Sequence, residues 1–230
     1  MQLTRILAHA RRRTARLVRF ARDDKAVVLI ETAFTMPLLI FLGFGGLEIA
    51  NLTLANTRIS QVALSAADNA SRIAYGSDLS LPRVREVDIN EVFAGVEEQS
   101  RGLDFKAHGR IILSSLERNS SGGQWIHWQR CYGNYPVNSA YGLQGTGKTG
   151  TAFKGMGKPG AEVTASTGTA VMFVEVTYQY QPLAFAAWLG PRVIRTTAAF
   201  NIREGRDLQG PAGGDGVYNP SPAATKMTCT

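Results

Sequence analysis

The sequence predicts an α+β protein: a long N-terminal helix, membrane-spanning and then amphipathic, followed by a small antiparallel β-sheet. Three observations carry this. An apolar run from Ala26 to Ala50 holds only Glu31 and Glu48 as charged residues. Small and apolar residues then recur at three- and four-residue spacing as far as Ile73. Further on, apolar and polar residues alternate in short stretches divided by Gly, Pro, Asn and Ser, the pattern of strands and turns.

The first element is a basic arm. Eight basic side chains lie in the first 25 residues, opposed only by Asp23 and Asp24, so +6 of the formal net charge of +7 sits there. A nucleic-acid-binding domain would instead spread its charge over a folded face with aromatics interleaved. No nucleic-acid partner is expected. The arm precedes a run long enough for a bilayer, which needs about 20 residues. Basic residues before a span keep the N-terminus cytoplasmic and send the rest of the chain across. No Ala-x-Ala cut site follows the run, so an uncleaved anchor is favoured over a secretory signal.

The helix is expected to continue beyond the membrane. Positions 49, 52, 56, 59, 63, 66, 70 and 73 form one mostly small-residue stripe, with Gly76 placed to end the helix. A single helix over 27–75 would be about 73 Å long at ~1.5 Å per residue. Pro37 lacks an amide hydrogen and is expected to kink it. A short helix is expected at 84–96. Strands follow at 110–117 and 124–132 around the turn Ser121-Gly122-Gly123, and again at 170–181 and 193–203. In the third strand Met172, Val174, Val176, Tyr178 and Tyr180 share one face. Residues 133–168 read as an irregular loop. The boundaries are therefore a leader over 1–26, a helix over 27–76, an exported α+β domain over 77–204 and a Gly/Pro-rich tail over 205–230. That tail is expected to be poorly ordered except where a disulfide holds it.

Cys131 and Cys229 both fall on the predicted exported side. Oxidising conditions there favour a disulfide between them, the alternative being two unpaired thiols. Neither has a second Cys or His at ligand spacing, so no metal is expected.

Candidate catalytic groups are few. Gly142 to Thr149 fits GxxxxGK[ST], with Lys148 as the lysine. That loop works by leaving a buried strand and opening a helix whose amides hold phosphates. Here Gly- and Pro-rich sequence flanks it on both sides, and no cofactor is expected. His108 and His127 do not neighbour a serine or cysteine in a nucleophile-elbow context, and His127 between Trp125 and Trp128 reads as a sheet-face residue. The aromatics of 125–141 read first as core and second as a contact surface. The chain is expected to be non-enzymatic.

Glu31 is the informative charge. A carboxylate inside a membrane span is expensive and marks a functional candidate, unless it reaches the headgroups. The stretch Lys25-Ala26-Val27-Val28-Leu29-Ile30-Glu31-Thr32-Ala33-Phe34-Thr35-Met36-Pro37-Leu38-Leu39 resembles the start of TadE-like minor pilins (pseudopilins) of the tight-adherence, or Flp, pilus. In that family a basic leader ends in a small residue, and Glu lies fifth in the mature chain before A-L-x-x-P-L-L. Ala26 stands here for the usual Gly and Thr32 for the usual aromatic. The segments VEVTYQYQPL and RTTAAFNIRE are similar to the C-terminal part of these proteins.

The resemblance implies a pilin-like fold and prepilin-peptidase cleavage between Ala26 and Val27. It implies an assembly role for Glu31, through the new α-amino group of Val27 in its own or a neighbouring chain. It further implies an inner-membrane, single-pass protein with a periplasmic domain, whose partners are other pilins, pilus assembly proteins, the peptidase and membrane lipid. Two rivals remain: an anchored envelope binding domain unrelated to pili, and a nucleotide-dependent enzyme using residues 142–149.

Overall fold

The computed structural model describes residues 24–76, 80–183 and 190–229. The basic leader up to residue 23 lies outside them. Two compact units divide the chain, Met1–Ala50 and Asn51–Thr230, and each is described by itself. Helix α1, Asp24–Ser71, contributes to both.

In the first unit α1 is mostly apolar and mostly exposed, with Glu48 buried. Leu29, Phe34, Leu39 and Leu42 are all exposed. The helix continues through Pro37, which cannot supply the amide that the Ala33 carbonyl would ordinarily accept. Thr32 and Thr35 hydroxyls donate back to the carbonyls of Val28 and Glu31, both at 2.8 Å. Such back-bonding satisfies a hydroxyl without help from solvent.

In the second unit α1 presents a packed stripe of Ala55, Ile59, Val62, Ala63, Ala66, Ala67 and Ala70. Of the expected stripe Ile59, Ala63, Ala66 and Ala70 are buried, whereas Ile49 and Asn56 are exposed and Ala55 is buried instead. A straight α-helix repeats every 3.6 residues, so a strict three–four alternation drifts off the buried face. The helix stops at Ser71, before Gly76. Ser71 turns its hydroxyl back onto the Asp68 carbonyl (2.7 Å), and the Arg203 amide takes the Ser71 carbonyl (3.3 Å).

Helix α2, Glu86–Gln99, starts where the Asp88 carboxylate accepts the Arg85 amide (3.1 Å) and its guanidinium. Its two first-turn acids also suit the positive end of the helix dipole. Ile89, Val92, Phe93 and Val96 recur at helical spacing and are buried. A single turn, α3 (Phe105–His108), leads into the sheet.

The strands are β1 (Gly109–Arg118), β2 (Gln124–Tyr132), β3 (Met156–Lys158), β4 (Ala161–Val163), β5 (Ala170–Tyr180) and β6 (Arg192–Asn201). The main sheet runs β2-β1-β5-β6 with every neighbour antiparallel, and β3 pairs only with β4. One face carries Ile111, Leu113, Trp128, Met172, Val174, Val176 and Tyr178 against the helices. The opposite face carries Leu116, Ile126, Val171 and Phe173, covered by Tyr141, Phe153, Met156, Val163 and Ala165. Residues 133–168 therefore form a second lid with a small hairpin in it, not an irregular loop throughout.

The tail is also more fixed than its composition predicts. The Asp207 amide donates to the Pro82 carbonyl (2.8 Å), and Tyr218 pairs with Val84 and Glu86 through backbone bonds. The Cys131 amide donates to Met227 (2.9 Å), and Cys131 and Cys229 form a disulfide. These backbone bonds order the tail along much of its length, well before the bridge is reached.

Candidate functional site

The residues singled out in the sequence fall in two places. Ala26, Val27 and Glu31 lie in the first turns of α1 within the first unit. The 26–27 peptide is already helical, and Val27 precedes Glu31 by one turn. Val27, Leu29, Ile30 and Phe34 around Glu31 are exposed, and so is Glu31 itself. This helix, near the N-terminus, is long and apolar enough to cross a membrane. An acid on such a surface either meets headgroups or finds a cation.

Cys131 lies in the second unit, next to the most deeply buried charge of that unit. Arg130 is fully buried and donates to the Glu86 carboxylate from Nε (2.9 Å) and from Nη2. Its Nη2 also meets Asp215 (2.9 Å), which Lys226 closes from the other side (2.6 Å). Burial would raise the Asp215 carboxyl, but Lys226 and Arg130 outweigh it and hold the group at about 2. Strand β2, the start of α2 and the tail thus meet at one ionic junction, with the disulfide one residue away. Nothing in local sequence joined Glu86, Arg130 and Asp215, since only the tertiary fold brings them together.

His127 is not an ordinary sheet-face residue. Ser115 opposes Trp128 while Leu116 opposes Ile126, so His127 is the extra residue of a β-bulge. Its Nδ1 lies 2.9 Å from Glu117 Oε2, and Ser115 Oγ donates to Oε1 (2.7 Å). The serine addresses the acid rather than the imidazole, so the three do not form a Ser–His nucleophile pair. His108 lies 3.8 Å from the exposed Asp104 at the surface.

The glycine loop is occupied with holding itself. The Gly145 amide donates to Ile126 (2.7 Å), the Lys148 amide to Gly145 (3.0 Å), and the Asn119 side chain to Gly147 and Gly150. Gly147 has φ +77°, and a Cβ there would lie 2.3 Å from the Gln124 carbonyl, which explains the glycine without a ligand. Bends and irregular chain rather than a helix follow Lys148. The phosphate-loop geometry of strand, loop and helix is not met.

The aromatics divide. Trp128 is core, Tyr132 stacks on Phe93 and Tyr141 meets Phe173 edge-on, whereas Trp125 is only half-buried.

No family model, curated protein or solved structure matches this chain.

Proposed function

We propose that this chain is a single-pass membrane-anchored, non-catalytic pilin-like subunit, of the TadE-like kind that its N-terminal sequence resembles. The observation that carries the reading is Glu31, an exposed carboxylate near the start of an exposed apolar helix. Cleavage after Ala26 would create an ammonium group on Val27, one helical turn away. Pairing with that cation offsets part of the cost of taking the acid into lipid. In an assembly the same cation could come from a neighbouring subunit and set its axial register. The second unit, α1 packed on an antiparallel sheet, would then be the exported domain.

Mass spectrometry of the N-terminus in the native host tests processing, with Val27 expected first. Glu31→Gln keeps the shape and removes the charge, so it should still enter the membrane while co-purification with other pilins falls sharply. An intact leader together with undiminished co-purification of Glu31→Gln would sink the reading. It would leave an envelope-anchored binding domain.

A further inference from the structure

The end of the second unit at which α1 enters is also the end at which β5 hands over to β6. There the Asn51 side chain donates to the Tyr180 hydroxyl (2.7 Å), and Tyr180 opposes Arg192 in the last rung of the sheet. At the other end the Arg203 amide, just past β6, takes the Ser71 carbonyl (3.3 Å). Within this unit β5 therefore runs against the direction of α1. The chain that leaves β5 at Gln181 passes beyond the last rung, on the side from which α1 arrives.

That end shows apolar side chains and positive charge. Leu183 is 72% exposed and Val193, one rung inside, 39%. The sequence from Gln181 to Pro191 holds no charged residue. Arg58 on α1 and Arg195 on β6 are exposed, and neither has an ion pair among the described residues. At ~1.5 Å per helical and ~3.3 Å per strand residue, both stand about 10 Å from the end. Residues 51–58, 178–183 and 190–197 contain no acid. Asp104 follows Leu103, whose carbonyl takes the Tyr178 hydroxyl, and it faces His108 (3.8 Å).

The chain itself sets what meets this patch. If hydrocarbon begins at Val27, about 20 residues carry the helix through it, to Gly46. Asn51 then lies about 7 Å farther along the helix. The headgroup layer is itself about 5–7 Å deep on each side. Side chains past Tyr180 at this end thus stand at the height of the headgroups. Apolar side chains backed by arginines suit such an interface, the first entering it and the second drawn to anionic phosphates. At about 10 Å the arginines are still near one Debye length from the surface.

We propose that this end of the second unit docks on the headgroups of the membrane that α1 enters, with Leu183 and Val193 in the interface and Arg58 and Arg195 facing anionic lipid. The inference rests on α1 spanning a membrane and is independent of the pilin reading.

The native cysteines are closed in their disulfide, so an added cysteine takes a fluorescent probe without reductant. Leu183→Cys, Val193→Cys, Leu39→Cys and Glu204→Cys are labelled in the full chain and placed in nanodiscs of phosphatidylcholine and phosphatidylglycerol. The probes replacing Leu183 and Val193 should be quenched by headgroup spin-labelled lipid and shielded from aqueous iodide. The probe replacing Glu204, past the far end of β6, should behave in the opposite way. That replacing Leu39, within the apolar run, should be quenched by acyl-chain spin labels. Arg195→Glu should lower the docked-to-undocked ratio read at Leu183→Cys about fivefold, roughly 1 kcal/mol. Free access of iodide to the Leu183 and Val193 positions, with the Leu39 position still in lipid, would overturn docking and leave the anchor standing. Aqueous access at the Leu39 position would bring down both. Equal lipid quenching at the Leu183 and Glu204 positions, shielding that grows with the number of chains per disc, or a ratio unchanged by Arg195→Glu would each also overturn the proposal.

Discussion

Arg206 donates from Nη1 to the carbonyls of Ala70 and Ile73, at 3.4 and 3.3 Å, and burial lowers its guanidinium to about 10 against the pull of Glu117. The first carbonyl lies in the last turn of α1, where the dipole favours a cation, and the second lies just beyond the helix end. Arg206→Ala would leave the Ile73 carbonyl without this donor and the Ala70 carbonyl with only the long bond from the Ile73 amide (3.4 Å). It should cost roughly 3 kcal/mol, read as a fall in Tm of about 6–12 °C for the full chain in micelles. Asp215 gives a pH-dependent counterpart. Its folded carboxyl titrates at about 2, below the ~3.9 of an unfolded aspartate. Its contribution is therefore complete above about pH 4 and lost as pH falls through about 2. The stability gap between wild type and Asp215→Asn, from denaturant unfolding, should shrink by roughly 2 kcal/mol between pH 5 and pH 2. A gap independent of pH would mean that Asp215 acts through packing alone. Neither residue was legible in the sequence, because an arginine and an aspartate in a Gly/Pro-rich tail give no periodicity to read.

Within the elements, legibility follows the range of the interactions. β5 alternates from Val174 to Tyr180, so the helix-facing set Met172, Val174, Val176 and Tyr178 could be read by extending that period back. The buried opposite face, Val171 and Phe173, could have been either solvent-facing or covered until the lid over it was seen. That lid resisted reading because β3 and β4 have three residues each and contain little but Met156 and Val163 to mark a buried side. The small-residue stripe of α1 was legible at Ile59, Ala63, Ala66 and Ala70 and drifts off the buried face toward its N-terminal end, where Ala55 rather than Asn56 is buried. Its purpose is close approach: Ala63 and Ala67 are fully buried where the helix meets the rest of the unit. Ala67→Leu adds three carbons to a site with no room and should cost about 1–3 kcal/mol. Leu64 is on the exposed side of the same helix, and Leu64→Ala should change stability by less than ~0.5 kcal/mol. Equal effects from the two, measured by urea titration of the full chain, would mean that the stripe is misassigned.

For the whole chain, the disulfide links stability to compartment. Cys131 and Cys229 lie 98 residues apart, and closing so long a loop restricts the unfolded chain by roughly 4–5 kcal/mol on the chain-entropy account. The folded tail does not depend on the bridge alone. Asp207, Tyr218 and Met227 hold it by backbone bonds, and Arg130 and Lys226 hold it through Asp215. Replacing both cysteines by serine should therefore lower stability by about 2–5 kcal/mol while the tail still resists limited proteolysis at neutral pH. A bridge in the cell further requires an oxidising compartment. The +6 arm before the apolar run predicts such a compartment for the second unit if the run spans the membrane. Cells expressing the full chain can be lysed into acid to freeze thiol exchange, and the protein then treated under denaturing conditions with a bulky maleimide. Protein from wild-type cells should show no added mass without reductant and two additions after it. If both cysteines label without reductant, the second unit lies in a reducing compartment. The positive-inside orientation and the exported-domain part of the pilin reading would then fall together.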